Sequence, residues 1–154
     1  FNTSLSWKGF DLSAIFAYSI GGYIYNRDIT MILHNGSLEG RAWSTEILRR
    51  WTPDNRYTDV PALSTTSNNW NSASTRFLQN NSYMRLKNLT LSYNLPKPWI
   101  SKLALSSVQV YVQGDNLFTI HKNQGLDPEQ GITGITYYRY PAMRTISGGI
   151  NIAF

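Results

Sequence analysis

The side chains able to carry acid–base or metal chemistry are few and scattered. His34 and His121 are the only histidines. Both stand in or beside long connecting segments with no pair of carboxylates at ligand spacing, so both are expected to be surface residues rather than metal ligands. In the stretch Gly125 to Glu129, "GLDPE", two carboxylates lie close enough in sequence to meet a cation. Asp-Pro is also a common turn opener, and the turn is the expected role. For Asp54 and Asp59 capping and turn formation suffice. No Ser/His/Asp grouping, Gly-rich phosphate loop or isolated acid pair points to catalysis, so no catalytic residue is assigned, no cofactor is expected and the chain is not expected to be an enzyme. Zero cysteines exclude a disulfide framework and a thiolate metal site. What the connections do carry is aromatic surface: Trp43, Trp51, Trp70, Tyr137, Tyr138 and Tyr140. Such rings stack on sugars, anchor peptide side chains or meet a partner protein, and packing within the loops is an equally weighted reading.

Five segments with period-two patterning must position these residues. Phe1 to Trp7 sets Phe1, Leu5 and Trp7 against Asn2, Ser4 and Ser6. After Lys8-Gly9, residues Phe10 to Ile20 put Phe10, Leu12, Ala14, Phe16, Tyr18 and Ile20 on one face. The third segment, "SYMRLKNLTLSYNLP", opposes Leu89, Leu91, Tyr93 and Leu95 to Asn88, Thr90, Ser92 and Asn94. The fourth, "VQVYVQGDNLF", opposes Val108, Val110, Val112 and Phe118 to Gln109, Gln113 and Asp115. The last, "RTISGGINIAF", places Ile146, Ile150, Ile152 and Phe154 on alternate positions. Links between the segments alternate short and long, the rhythm of a transmembrane β-barrel with tight turns on one side and loops on the other. Within the first long link, Gly21 to Asn81, the spacing of Ala42, Trp43, Ile47, Leu48 and Trp51 predicts a short helix ended by Thr52-Pro53. Residues Ser64 to Thr75 read as an irregular surface loop. The strand-like start at Phe1 without an initiator Met marks the chain as an expected piece of a longer polypeptide.

Charge placement agrees with strands that cross a membrane. Charged residues make up 15% of the chain and aromatics 14%, against about 25% charged in ordinary soluble domains. Asp11 and Asp115 fall on polar faces. Arg85 and Lys87 share parity with Leu89 and Leu91, and are expected to reach outward to the headgroups from one end of the strand. Aromatics collect at segment ends, Trp7, Phe10, Trp99 and Phe154 at the short-turn end and Tyr18, Tyr23, Tyr83 and Phe118 at the long-loop end, as two interfacial girdles require. The net charge of +5 is not clustered, so no nucleic-acid partner is expected.

Four stretches add a family resemblance. "RRWTPDNRYTDVP" (Arg49 to Pro61), "NSYMRLKNLTLSYNLP" (Asn81 to Pro96), "VYVQGDNLFTIHKNQGLDPE" (Val110 to Glu129) and "YPAMRTISGGINIAF" (Tyr140 to Phe154) resemble, in order and spacing, the C-terminal end of the SusC/RagA family of TonB-dependent outer-membrane transporters of Bacteroidetes. The resemblance implies an all-β fold, an antiparallel transmembrane β-barrel with long extracellular loops, of which residues 1–154 form the last five of 22 strands. Plug, TonB-contacting segment and earlier strands would lie outside this chain. It further implies outer-membrane localisation and import of glycan or peptide fragments. The implied partners are a SusD-like lipoprotein as lid, the TonB complex acting through the plug, the rest of the barrel and outer-membrane lipid. Phe154 would belong to the signal read by the barrel-assembly machinery. A soluble carbohydrate-binding β-module, and a barrel used for assembly or secretion, are the alternatives.

Overall fold

The computed structural model describes residues 1–36, 38, 40–67, 72–103, 105–123, 127–129 and 133–154. In chain order the elements are β1 (Asn2–Trp7), β2 (Phe10–Ser19), β3 (Tyr23–Asn26), α1 (Arg27–Ile32), β4 (Leu78–Asn80), β5 (Tyr83–Asn94), α2 (Lys97–Ile100), β6 (Ser107–His121), β7 (Ile135–Thr136) and β8 (Thr145–Ala153). Single 3₁₀ turns occupy Thr45–Arg49, Thr75–Phe77 and Ser101–Leu103. The chain divides into two compact units. One holds Phe1–Gly21, Asn81–Asn123 and Pro141–Phe154, the other Gly22–Asn80 and Gln124–Tyr140.

The first unit is a five-stranded antiparallel sheet in the order β1-β2-β5-β6-β8, built from the five patterned segments. Lys8 (φ 48°) and Gly9 (φ 89°) close the β1–β2 hairpin in two residues. Two successive positive φ values give the turn whose twist matches that of the flanking strands. At Gly9 a Cβ would sit 3.1 Å from the Asn94 carbonyl oxygen, so both the turn and the neighbouring strand favour glycine there.

Register makes the two faces chemically distinct. Leu5 lies opposite Leu12, Leu12 opposite Leu91, Leu91 opposite Val112, and Val112 opposite Gly148. The neighbouring rows join Phe10, Tyr93, Val110 and Ile150. Phe10 and Tyr93 bring their rings to 4.5 Å. This apolar face is largely uncovered: Leu5, Trp7, Leu12, Leu91, Val112, Ile146 and Ile150 are all exposed. An open apolar sheet face with two free edge strands, β1 and β8, is not a stable surface in water. On the other face, Asn88 Nδ2 donates to Asp115 Oδ1 (2.8 Å), Thr90 Oγ1 to Asn88 Oδ1 (2.9 Å) and Gln113 Nε2 to Asp115 (3.2 Å). Asn151 donates to Gln109 (3.2 Å), and Gln109 donates to Ser92 (3.3 Å). Asp11 accepts from Ser6 (2.5 Å) and Asn94 (2.7 Å).

One expectation about this sheet is overturned. Ile15 faces Asn88 but Phe16 faces Leu86, so Lys87 is an extra residue in β5. Against β6 the register also shifts between Leu86 and Asn88, near Asn116, whose φ is 52°. Beyond this bulge the parity of β5 inverts. Leu86 and Met84 join the apolar face beside Phe16 and Tyr18, while Arg85 pairs with Ala17 and Thr119 on the polar one. Arg85 is 3% exposed and its Nε donates to Thr119 Oγ1 at 2.9 Å. It does not share a face with Leu89 or reach for headgroups. Tyr83, paired with Ser19 and His121, likewise leaves the expected girdle.

The second unit contains short strands that the sequence pattern did not reveal. β3 pairs antiparallel with β4 and parallel with β7, over buried Ile24, Val60 and Phe77. Tyr23 belongs to β3 of this unit rather than to the sheet's aromatic rim. Asn26 caps α1 by accepting from Ile29 N at 3.1 Å, and its Oδ1 accepts from the buried Thr136 hydroxyl at 3.4 Å. The helix predicted over Ala42 to Trp51 is only the 3₁₀ turn Thr45–Arg49, capped by Ser44 and closed by Arg50 rather than by Thr52-Pro53. Of Ser64 to Thr75, residues 68–71 lie outside the described residues.

Candidate ligand-contact site

The second unit gathers polar and aromatic side chains where α1 ends. Leu33 N donates to Ile29 O (2.9 Å), and the chain then turns through Gly36 at φ 108°, a conformation natural to glycine. Two returning strands of backbone tie this turn down: Ser44 N donates to Ile32 O (2.8 Å) and Ser64 N to Asn35 O (3.0 Å). The result buries His34 and Asn35, each 2% exposed. His34 is therefore not the surface residue its position between strands suggested. Its Nδ1 accepts from Trp43 Nε1 at 3.0 Å and from Gly36 N at 3.4 Å, with the two rings 5.2 Å apart. An indole N–H only donates, so Nδ1 must present its lone pair and the imidazole proton sits on Nε2. Asn35 Nδ2 donates to Ser67 O. His34 Nε2 and Asn35 Oδ1 are buried without a hydrogen-bond partner. His34, Asn35, Leu38, Arg41, Trp43 and Leu63 wall a cavity of about 370 Å³.

A second hollow of about 360 Å³ lies among Asp28, Tyr138, Arg139 and Tyr140. Tyr138 holds a φ of 46°, and its N–H donates to Asp28 Oδ1 at 3.0 Å. A carboxylate acceptor helps hold a backbone conformation that a Cβ-bearing residue resists. The Tyr137 and Tyr138 rings meet at 4.4 Å, and the Arg27 guanidinium lies 4.7 Å over Tyr137, a cation–π geometry. Arg41, part of the first cavity, donates to the Tyr138 hydroxyl at 3.3 Å. The two hollows are thus linked through one side chain.

The aromatic residues named from sequence have different fates. Trp43, Tyr138 and Tyr140 line hollows, and Tyr137 stacks beside them. Trp51 is bound into the "RRWTPDNRYTDVP" loop instead: its N–H donates to Val60 O (2.8 Å). Asn55 there donates to the Arg49 (3.0 Å) and Arg50 (3.3 Å) carbonyls. Asp59 pairs with Arg49 at 3.7 Å and Arg76 at 3.9 Å, exposed contacts worth about 0–1 kcal/mol each. Trp70 lies outside the described residues. In "GLDPE", Gly125 and Leu126 lie outside the described residues, and Asp127 Oδ1 accepts from Glu129 N (2.9 Å) as a turn requires. His121 is exposed, with Nδ1 3.0 Å from Asn123 O. Phe154 follows β8 and is exposed. No helix among the described residues is long and apolar enough to cross a membrane.

No protein-family model matches the chain. Individual proteins do. The TonB-dependent receptor P3 of Formosa agariphila is 37% identical over 100% of this chain and 16% of its own length. The TonB-dependent receptor SusC of Bacteroides thetaiotaomicron is 27% identical over 99% of this chain and 14% of its own. Among solved structures, the RagAB peptide importer in its closed-closed state superposes with a TM-score of 0.86 at 34% identity, covering 99% of this chain and 16% of that one. Its open-open state gives a TM-score of 0.87. The chain therefore spans only 14% to 16% of the length of these relatives, which are receptors and importers rather than enzymes or soluble sugar-binding modules. With its two-faced antiparallel sheet and exposed apolar surface, the chain matches, over its whole length, a segment of the outer-membrane β-barrel of SusC- and RagA-like TonB-dependent receptors.

Proposed function

We propose that the complete receptor imports peptide fragments across the outer membrane, that this chain supplies the C-terminal part of the barrel wall with two of its loops, and that a SusD-like lipoprotein covers the mouth while TonB supplies energy through a plug. The observation that carries the peptide reading is the likeness to the RagAB peptide importer over 99% of the chain. Cells lacking the receptor should lose growth on a defined peptide mixture and keep it on oligosaccharides. A defect confined to oligosaccharides would make the cargo a glycan.

In this reading the apolar face contacts lipid and the polar face lines the lumen, because unpaired polar groups are costly in hydrocarbon. Single cysteines at Asp11, Asn88, Thr90, Gln109, Gln113 and Asn151 should react with a water-soluble thiol reagent, and cysteines at Leu12, Phe16, Leu89, Leu91, Val110, Val112, Ile150 and Ile152 should not. Equal labelling of the two sets would sink the assignment.

The lid contact rests on exposed aromatics in the second unit. Tyr140 is 97% exposed and Trp51 is 44% exposed, and Tyr and Trp dominate interface hot spots, where truncation costs about 2 kcal/mol or more. A Trp51→Ser/Tyr140→Ser double variant should reduce co-purification of the lipoprotein at least tenfold at unchanged barrel yield. Unaltered co-purification would leave both residues without a part in the lid.

A further inference from the structure

The cavity beside Trp43 has a polarity that selects among ligands. His34 and Asn35 wall it, both nine-tenths buried or more, and each holds one atom with no partner. The Trp43 indole fixes the sign of the first: Nδ1 accepts, so Nε2–H is a donor. The Asn35 carboxamide fixes the sign of the second: Nδ2 is committed to Ser67 O, so Oδ1 is an acceptor. A donor and an acceptor on consecutive residues complement a group that carries one of each, fixed in polarity. A secondary amide has this character, with C=O to accept and N–H to donate. Hydroxyl groups turn to serve as either and need no such pre-set pair. The remaining wall is mostly apolar, with Leu38, Leu63 and the Trp43 ring. A volume of about 370 Å³ lies at the lower end of the range for small-ligand sites.

We propose that this cavity is a peptide subsite: it takes one apolar residue of the cargo against Leu63, Leu38 and Trp43, and His34 Nε2–H and Asn35 Oδ1 hydrogen-bond that residue's backbone amide groups. The proposal rests on the peptide reading of the importer and adds the place and polarity of recognition. Both polar atoms are covered in the unliganded arrangement, so the ligand engages them once the cavity wall gives way around them. Gly36 holds a φ of 108°, and a Cβ there would meet only the Thr65 methyl at 3.8 Å, so the wall is loosely packed at that residue. Buried polar atoms that lack partners disfavour the empty site, and pairing them with the ligand removes that disadvantage.

The test uses the complete receptor in detergent and a blocked octa-alanine peptide carrying one central leucine, with binding followed by calorimetry. Two altered peptides replace the leucine by aspartate or methylate its backbone nitrogen. Three receptor variants accompany wild type. Leu63→Trp fills the cavity and leaves both polar atoms, Asn35→Leu removes the acceptor, and Gln113→Ala, on the sheet's polar face, controls for general damage. Heat-modifiable migration verifies the fold of each. The expected result is at least tenfold weaker binding for Leu63→Trp, for Asn35→Leu and for both altered peptides, with Gln113→Ala like wild type. If folded Leu63→Trp and Asn35→Leu bind the leucine peptide as wild type does, the subsite is wrong while the peptide reading stands. If wild type binds no peptide but binds maltoheptaose, the peptide reading fails and the subsite with it.

Discussion

A Val112→Arg substitution is expected to destabilise the barrel by about 2–4 kcal/mol, the cost of a cation on the lipid face near the bilayer midplane. Val112 sits in the interior of β6 with Leu91 on one side and Gly148 on the other. Its row continues through Leu12 to Leu5, all apolar, so a guanidinium there has no counter-charge in its row. Gln113→Arg, one residue on, should be nearly neutral, because that position faces Asp115, to which Gln113 already donates at 3.2 Å. Urea titration of the complete receptor in lipid vesicles measures both. Equal destabilisation by the two variants would show that neighbouring residues do not face different solvents, and the membrane reading of this sheet would fall.

The second large effect concerns the bulge at Lys87. Deleting Lys87 alone brings Leu86 next to Asn88, as Phe16 is next to Ile15, so the alternation runs unbroken and Arg85 keeps the polar face. This variant and Lys87→Ala should both retain the folded band. Deleting Leu86 and Lys87 together puts Arg85 next to Asn88 and inverts the strand from Tyr83 to Arg85. Arg85 and Tyr83 then turn to the apolar face, and Met84 to the polar one. The cost combines the lost Arg85–Thr119 hydrogen bond, about 1.5–3 kcal/mol for a bond to a charged group, with placement of an arginine toward lipid, about 2–4 kcal/mol at the midplane and less toward the interface. The double deletion should therefore reduce the heat-modifiable, folded band severalfold or more relative to the single deletion. If the double deletion folds as well as the single one, the residue count between Arg85 and Asn88 is not what sets the orientation of Arg85.

The five strands were legible because a sheet with unlike sides writes its period into the sequence, and in β5 the alternation from Asn88 to Asn94 matches the faces those residues take. The bulge was not legible from alternation, which assumes an unbroken register. Its trace is chemical: "QGDNLF" puts Gly114, Asp115 and Asn116 inside a strand, residues that favour a left-handed or bulged backbone, and Asn116 adopts the positive φ. β3, β4 and β7 have 4, 3 and 2 residues, too few for a period to appear. In the candidate site, aromatic content singled out Trp43, Tyr138 and Tyr140, but not His34 or Asn35. Burial of those two depends on backbone ties to Ser44 and Ser64, and nothing in local composition announces such ties.

The pairing of β3 with β7 has a consequence in time. Asn26 and Thr136, joined by a buried hydrogen bond, are 110 residues apart in the chain, and this contact cannot form before Thr136 has been synthesised. Closing so long a loop is entropically dearer than closing a hairpin, though only logarithmically in its length, and contacts of this separation slow folding far more than they weaken the folded state. The Lys8-Gly9 hairpin closes a tight turn, whereas the unit holding the candidate site needs residues 110 positions apart to meet. Until they do, β3 has no partner on its β7 side, and the partly folded chain carries an open strand edge in need of protection.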